Sequence, residues 1–127
     1  DKQQQALAGL NNLMSMASEM NYRNIVFGCD IVTSLEALDA INRELVIRTQ
    51  WFSPFEVLRQ ATSKAGELLA LSGPRNPYGK LGVIEPGAVA DMLVVDGNPL
   101  EDIAVLASPK ENLRIIMQGG KLHKNTL

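Results

Sequence analysis

The chain has one cysteine, Cys29, and one histidine, His123, among its 127 residues. A single cysteine excludes an internal disulfide and any metal site made of cysteines alone. Metal sites that hydrolyse their substrates generally need several histidine or carboxylate ligands. These low counts predict that the chain does not hold a complete hydrolytic metal centre.

Long apolar runs and clusters of basic residues are also missing. No apolar stretch approaches the length of a membrane span, so we expect no membrane partner. The basic residues are scattered and the formal net charge is −2, which gives no reason to expect a nucleic-acid partner. The chain begins at Asp1 without an initiator methionine. We therefore expect its natural N-terminus to lie further upstream.

The first half of the chain has the pattern of helices around one buried strand. Apolar residues recur at three- and four-residue spacing through residues 1–20 and 34–49, which predicts two helices. The second helix would be capped by Ser34 and would face inward with Leu35, Leu38, Ile41, Leu45 and Val46. Between the two helices, residues 25–29 form a continuous apolar run, typical of a strand that is buried on both faces. Asp30 follows this run directly. Helix, loop, buried strand and acidic residue is the order found in α/β barrels.

A further helix start is marked by Ser53, Pro54 and Glu56, which form a capping-box pattern with proline at the first helical position. Phe52 and Val57 have the spacing of a hydrophobic staple across this helix start. Another short helix is predicted over residues 64–71, ending before Gly73.

After Gly73 the pattern changes to turns and strands. Residues 85–87 have the sequence of a type II turn, and residues 92–95 predict a strand. The apolar run before Gly119 and Gly120 predicts a terminal β-hairpin. We expect the apolar side chains of these strands to be buried, among them Leu93, Val95, Ile115 and Met117.

The order of these segments resembles the C-terminal part of the amidohydrolase superfamily. The run ending at Asp30 is similar to the end of the eighth barrel strand in those enzymes, where Gly-(Thr/Ser)-Asp is typical, and Cys29 is a departure that leaves the acid in place. Residues 53–62 resemble the helix that follows. Residues 82–91 match the family's G-x-I-x-x-G-x-x-A-D pattern, and residues 97–103 and 117–121 complete the order. The chain is most similar to the imidazolonepropionase-like branch, which includes prolidase-type and other dipeptidases.

The resemblance implies an α/β fold, a fragment of a (β/α)₈ TIM barrel plus part of a small β-sandwich built from both chain ends. Residues 1–72 would supply the last strand and helices of the metal-dependent hydrolase barrel, and residues 73–127 the C-terminal strands of the composite sandwich. The strand at residues 25–29 would then lack neighbours for its backbone groups. Because exposed strand edges favour self-association, we expect a homo-oligomer.

The function that the resemblance implies is hydrolysis of an amide-type C–N bond in a small-molecule substrate, a cyclic amide or a dipeptide, by metal-activated water. Asp30 would be both a metal ligand and the catalytic group that moves the proton. We expect one or two divalent ions, zinc first, whose other ligands, several histidines and often a carboxylated lysine, come from upstream sequence. The chain by itself is expected to bind no metal and to be inactive.

Each candidate residue also has a structural role open to it. Asp30 could cap a turn or the following helix, which its spacing alone favours, whereas the family order favours catalysis at the C-terminal face of a barrel. Glu36 could stabilise a helix start or reach the mouth of the site. The patterns favour an inert thiol at Cys29, an exposed strand residue at His123, and turn or cap roles for two aspartates, Asp91 and Asp96.

A non-catalytic relative with a binding or assembly role is the alternative function. In such a protein the barrel would persist after the loss of its metal ligands. A His-x-His sequence at the end of the first strand, upstream of this chain, would favour the enzyme over this alternative.

Overall fold

The computed structural model describes residues 1–29, 37–38 and 40–127. In these residues the helices precede a small antiparallel sheet, so the fold is mixed α/β. Its elements in chain order are α1 Lys2–Glu19, α2 Arg43–Arg48, α3 Pro54–Ala61, α4 Ser63–Ala70, a 3₁₀ helix Gly73–Arg75, β1 Met92–Val95, a 3₁₀ helix Ile103–Ala107, α5 Pro109–Asn112, β2 Leu113–Gln118 and β3 Lys121–Asn125. None of the helices in the described part of the chain has the length and apolar character needed to cross a membrane.

The first predicted helix is confirmed as α1, and its side chains are mostly exposed. The Asp1 carboxylate accepts a hydrogen bond from the Gln3 backbone N–H at 3.0 Å and caps the helix. Towards the other end, Met14 packs on the core, and the Ser18 hydroxyl donates to the Trp51 carbonyl oxygen at 2.5 Å. The helix is therefore anchored to the rest of the chain through its C-terminal half.

The second predicted helix is confirmed in part, because residues 37–38 and 43–48 are helical. Its predicted cap, Ser34, lies outside the described residues, and hydrogen-bonded turns at residues 40–42 lead into α2. On the predicted inward face, Leu45 is buried, but Leu38 is exposed. The expected burial of Leu38 is wrong.

The helix start at Ser53 is confirmed in detail. The Ser53 hydroxyl accepts a hydrogen bond from the Glu56 backbone N–H at 3.3 Å, and Pro54 begins α3. Phe52 and Val57 are both buried, and Val57 is 0% exposed, as expected for a hydrophobic staple. The next helix, α4, begins and ends one residue earlier than predicted.

Residues 25–29 do not form a β-strand, contrary to the sequence prediction. Their backbone joins none of the described strands, and Gly28 is exposed while the other four residues are half-buried. The three described strands pair with one another in the order β1-β2-β3. A strand needs a neighbouring strand to satisfy its backbone groups, and this segment has none among the described residues.

One hydrophobic core joins the helical and β portions of the chain. Its buried residues come equally from the two portions: Leu45, Phe52 and Val57 from the first, and Ile103, Leu106 and Leu113 from the second. The Asn42 side-chain amide also crosses between the portions and donates to the Leu106 carbonyl oxygen at 2.8 Å.

The backbone of α4 packs directly on the loop before the sheet, at two glycines. A Cβ atom on Gly66 would lie 2.2 Å from the Leu81 carbonyl oxygen. A Cβ atom on Gly82 would lie 2.2 Å from the Thr62 carbonyl oxygen, and Gly82 also has a φ of +76°, which L side chains rarely adopt. The close approach of these two backbone segments therefore requires glycine at both positions.

The predicted turns and hairpin are confirmed. The Ala88 N–H donates to the Glu85 carbonyl oxygen at 3.1 Å, and Gly87 has a φ of +89°, as a type II turn requires. Strands β2 and β3 pair in antiparallel fashion across Gly119 and Gly120, both with positive φ. Positive φ at both central residues is the requirement of a two-residue type I′ hairpin turn.

The expected burial of Leu93 is wrong, whereas that of Val95 is met in part. Leu93 is 53% exposed, while Val95 is half-buried and packs on the core. The register of the β1–β2 pair shifts between Val94 and Val95. At this irregularity burial no longer alternates along β1. Val95 therefore packs on the core, whereas Leu93, two residues before it, is exposed.

Alanine substitutions at two strand leucines are expected to lower the free energy of unfolding by different amounts. Leu113, at the start of β2, is 6% exposed, so Leu113→Ala should lower the free energy of unfolding by about 2–3 kcal/mol. Leu93→Ala removes an exposed side chain and should cost less than about 1 kcal/mol. Urea unfolding of the 127-residue chain measures both, and equal losses would show that Leu93 is buried in solution.

Candidate functional site

The predicted catalytic and metal-ligating residue, Asp30, lies outside the described residues, as does Glu36. The structure does describe the segment that leads directly to Asp30 and the helices against which that segment lies. The geometry of the site is therefore built from residues 25–29 and their partners on α2 and α3.

A single peptide unit of this segment is bound on both of its polar groups. The Val26 carbonyl oxygen accepts a hydrogen bond from Nη1 of Arg48, at 3.3 Å. The N–H of the same peptide unit belongs to Phe27 and donates to the backbone carbonyl oxygen of Gln60 on α3, at 3.0 Å. Residues 25–29 are thus held by two helices instead of by neighbouring strands.

Arg48 is the centre of a buried polar network. The residue is only 5% exposed, and its Nε and Nη2 donate to the same carboxylate oxygen of Glu44, at 2.7 and 2.5 Å. Its Nη1 also donates to the side-chain oxygen of Gln60 at 2.7 Å, and the guanidinium carbon lies 5.2 Å from the centre of the Phe27 ring. The Glu44 charge and these hydrogen bonds offset the desolvation of the buried cation.

The sequence analysis did not single out Arg48 or Gln60, although a signal was present. Arg48 follows Ile41 and Leu45 at helical spacing, so it lies on the apolar face of its helix. Gln60 likewise follows Val57 by three residues on the buried face of α3. A polar residue on an apolar helix face, with a glutamate four residues before the arginine, indicates a buried paired network.

Comparison with known proteins gives the family. The curated ochratoxinase of Aspergillus niger is 32% identical over 85 residues, which are 67% of this chain and 16% of that protein. A solved amidohydrolase matches with a TM-score of 0.70 and 38% identity, over 82% of this chain and 23% of that one. A prolidase complexed with N-methylphosphonate-L-proline matches with a TM-score of 0.66 and 38% identity, over 80% and 23%.

The chain belongs to the amidohydrolase superfamily. The resemblance noted in the sequence is thereby confirmed, and the named relatives are hydrolases. No family model matches the chain. The chain spans about a sixth to a quarter of the length of these relatives.

The structure explains why two residues of the amidohydrolase pattern at residues 82–91 are glycine and aspartate. Gly82 is required by its positive φ and by the contact with α4. Asp91 uses a carboxylate oxygen to accept the Gly119 N–H at 2.6 Å, which confirms its structural role at the hairpin turn. Asp96 lies in the bend directly after β1 and pairs with Arg114 on β2.

Cys29 and His123, the single cysteine and the single histidine of the chain, belong to no cluster of possible metal ligands among the described residues. Cys29 is a free thiol that is half-buried, not fully buried as expected. His123 is exposed on β3, which confirms the prediction of an exposed strand residue.

The metal implied by the amidohydrolase family needs several ligands, and the described residues do not provide them. Among residues 1–29, 37–38 and 40–127, no three histidine, cysteine, aspartate or glutamate side chains come together as a possible metal site. A catalytic zinc generally has three protein ligands and one open position. The described part of this chain therefore does not fit such a metal without ligands from elsewhere.

Proposed function

We propose that the whole protein hydrolyses an amide-type C–N bond in a small-molecule substrate, with this chain supplying Asp30 and the structure that supports it. The observation that carries the proposal is the 38% identity to a prolidase over 80% of this chain. Placement of residues 25–29 as a strand of a (β/α)₈ barrel, completed by strands from the rest of the protein, is part of the same proposal. Residues 73–127 would then contribute the C-terminal strands of a composite β-sandwich.

The substrate class that we propose is a dipeptide or a related N-acyl amino acid, with cyclic amides next. The compound complexed with the prolidase is a phosphonate on the nitrogen of L-proline. A tetrahedral phosphorus in that position has the shape of the carbon that water addition creates at an acyl–proline bond, and enzymes bind such shapes tightly. Support for a peptide-like substrate therefore comes from the chemistry of that ligand.

In the proposed mechanism the Asp30 carboxylate accepts a proton from the attacking water and donates it to the leaving nitrogen. One or two divalent ions, zinc first, would polarise the carbonyl and activate the water when bound. Asp30 would be one ligand, and we place the other ligands upstream of Asp1. In the sequence, Asp30 directly follows residues 25–29.

Removal of metal is expected to abolish the proposed activity. The full-length protein should release free proline from Xaa-Pro dipeptides, lose this activity after treatment with a chelator, and regain it on addition of Zn²⁺. Hydrolysis that persists in metal-free protein would contradict the metal-dependent mechanism. Failure to hydrolyse any dipeptide, N-acyl amino acid or cyclic amide, with fully metal-loaded protein, would favour the non-catalytic alternative.

A further inference from the structure

We infer that one face of the three-stranded sheet, its outer face, is covered by further β-strands from the part of the protein outside this chain. This inference rests on the composite β-sandwich of the proposed function and names the surface through which that sandwich is completed. Residues directly opposite each other in paired strands have their side chains on the same side of a sheet. By this register the outer face consists of Met92 and Val94 on β1, Ile115 and Met117 on β2, and Leu122 and Asn125 on β3.

The other face of the sheet has its cover within this chain. Leu113 is buried in the core, and Val95 and Ile116 pack against it. None of the six residues of the outer face belongs to that core or packs on it in the described part of the chain. Val94 and Leu122 are 42% and 48% exposed, and the other three apolar members are half-buried. The described residues therefore cover one apolar face of the sheet and leave the second open.

The composition of the strands indicates that both faces are covered in the whole protein. An antiparallel sheet with one face in water normally alternates apolar and polar side chains along each strand. Here β1 is apolar throughout, and β2 has three successive apolar residues at 115–117. The lysines of β3, Lys121 and Lys124, are opposite Gln118 and Ile116 and therefore lie on the other face. The outer face thus carries no charged side chain.

The outer face continues past β1 into an apolar groove. The groove has a volume of about 370 Å³, and Met92 belongs both to it and to the outer face. Ile84 also lines the groove and is 83% exposed. In the order β1-β2-β3, β1 is an edge strand, so one of its edges is open to pairing as far as the structure describes the chain. An open strand edge beside an apolar groove suits a further strand, whose side chains would fill the groove.

The rest of the same protein is the partner that we infer. This chain covers 23% of the solved amidohydrolase and 23% of the prolidase, so more than three quarters of each relative has no counterpart in it. A segment in the same polypeptide is present at a high effective concentration and needs no separate association step. Two sheets that pack face to face bury their inner faces against each other. A second copy of this chain is the rival partner.

The test introduces lysine on each side of one strand in the full-length protein. Val94→Lys places a charge on the outer face. Leu93→Lys is the matched control, because Leu93 is the neighbouring residue, is 53% exposed and is opposite Ile116 on the other face. The midpoint of thermal unfolding and the molar mass in solution are measured for the wild type and both variants.

Val94→Lys should lower the midpoint of thermal unfolding by about 5 °C or more, because the lysine charge would be buried without a partner. The molar mass should stay that of the wild type. Leu93→Lys should change the midpoint by less than about 2 °C. If Val94→Lys does not fold, Val94→Thr takes its place, because it keeps the shape of valine and adds only a hydroxyl. Its expected loss is about 2 °C or more.

Three results would overturn the inference. An unchanged midpoint in the Val94 variant would show that the outer face is in contact with water. A lower midpoint together with dissociation of an oligomer would assign the outer face to contact between copies of the protein. An equal loss in Leu93→Lys would show that the effect is not specific to the outer face. None of these measurements uses catalytic activity, so an inactive wild type would overturn the proposed hydrolysis and leave this test intact.

Discussion

Replacing Asp30 with asparagine in the full-length protein is expected to lower kcat for amide hydrolysis by about 10²–10⁴-fold. Asparagine keeps the size and shape of the side chain but removes its negative charge and its basicity. The proton from the attacking water would then lose its acceptor, and the leaving nitrogen would lose its donor. Metal affinity should fall as well, because a carboxylate ligand is exchanged for a neutral amide.

Asp96→Asn is the matched control for this change. Asp96 makes an exposed ion pair with Arg114 on the sheet, and such surface pairs contribute little to stability. We expect Asp96→Asn to retain wild-type kcat. Near-normal turnover by Asp30→Asn, measured with the same dipeptide substrate, would show that Asp30 is not the group that moves the proton.

Gly66→Ala is expected to destabilise the chain by about 3 kcal/mol or more, although alanine normally favours a helix. The added Cβ would lie 2.2 Å from the Leu81 carbonyl oxygen and 2.8 Å from its carbonyl carbon. Both are backbone atoms, so relief requires α4 and the loop to move apart. That movement would also disturb the reciprocal contact between Gly82 and Thr62.

Gly9→Ala, in contrast, is expected to stabilise the chain. Gly9 lies inside α1, and a Cβ atom there would have nothing within 4 Å. The substitution should stabilise the chain by about 0.5–1 kcal/mol. Urea unfolding of the two variants tests the close packing of α4 on the loop, and a stabilising Gly66→Ala would contradict it.

Features set by neighbouring residues could be predicted from the sequence. The cap at Ser53 and the turn at residues 85–87 depend on side-chain chemistry and backbone preferences within four or five residues, and both are observed. The hairpin at Gly119 and Gly120 follows from the need for positive φ at two successive positions. Local rules were sufficient for these three features because none of them depends on residues that are distant in the sequence.

Features set by distant partners could not be predicted in the same way. The apolar run at residues 25–29 has the composition of a strand, but pairing decides whether a strand forms, and none of the described strands pairs with it. Exposure of Leu93 depends on a register shift against β2, which no local pattern encodes. For the site, sequence order indicated Asp30, whereas the partners of Arg48 outside its own helix, Gln60 and Val26, are set by tertiary contacts.

The division of the core between the helical and β portions of the chain has a consequence during synthesis on the ribosome. Val57 and its neighbours on the helices leave the ribosome about 46 residues before Ile103, the first of their buried partners from the β portion. At roughly 5–20 residues per second, that interval is about 2–9 s. Throughout it, the apolar faces of α2 and α3 have no native cover from the β portion, so the nascent chain passes through a period in which molecular chaperones have an apolar surface to bind.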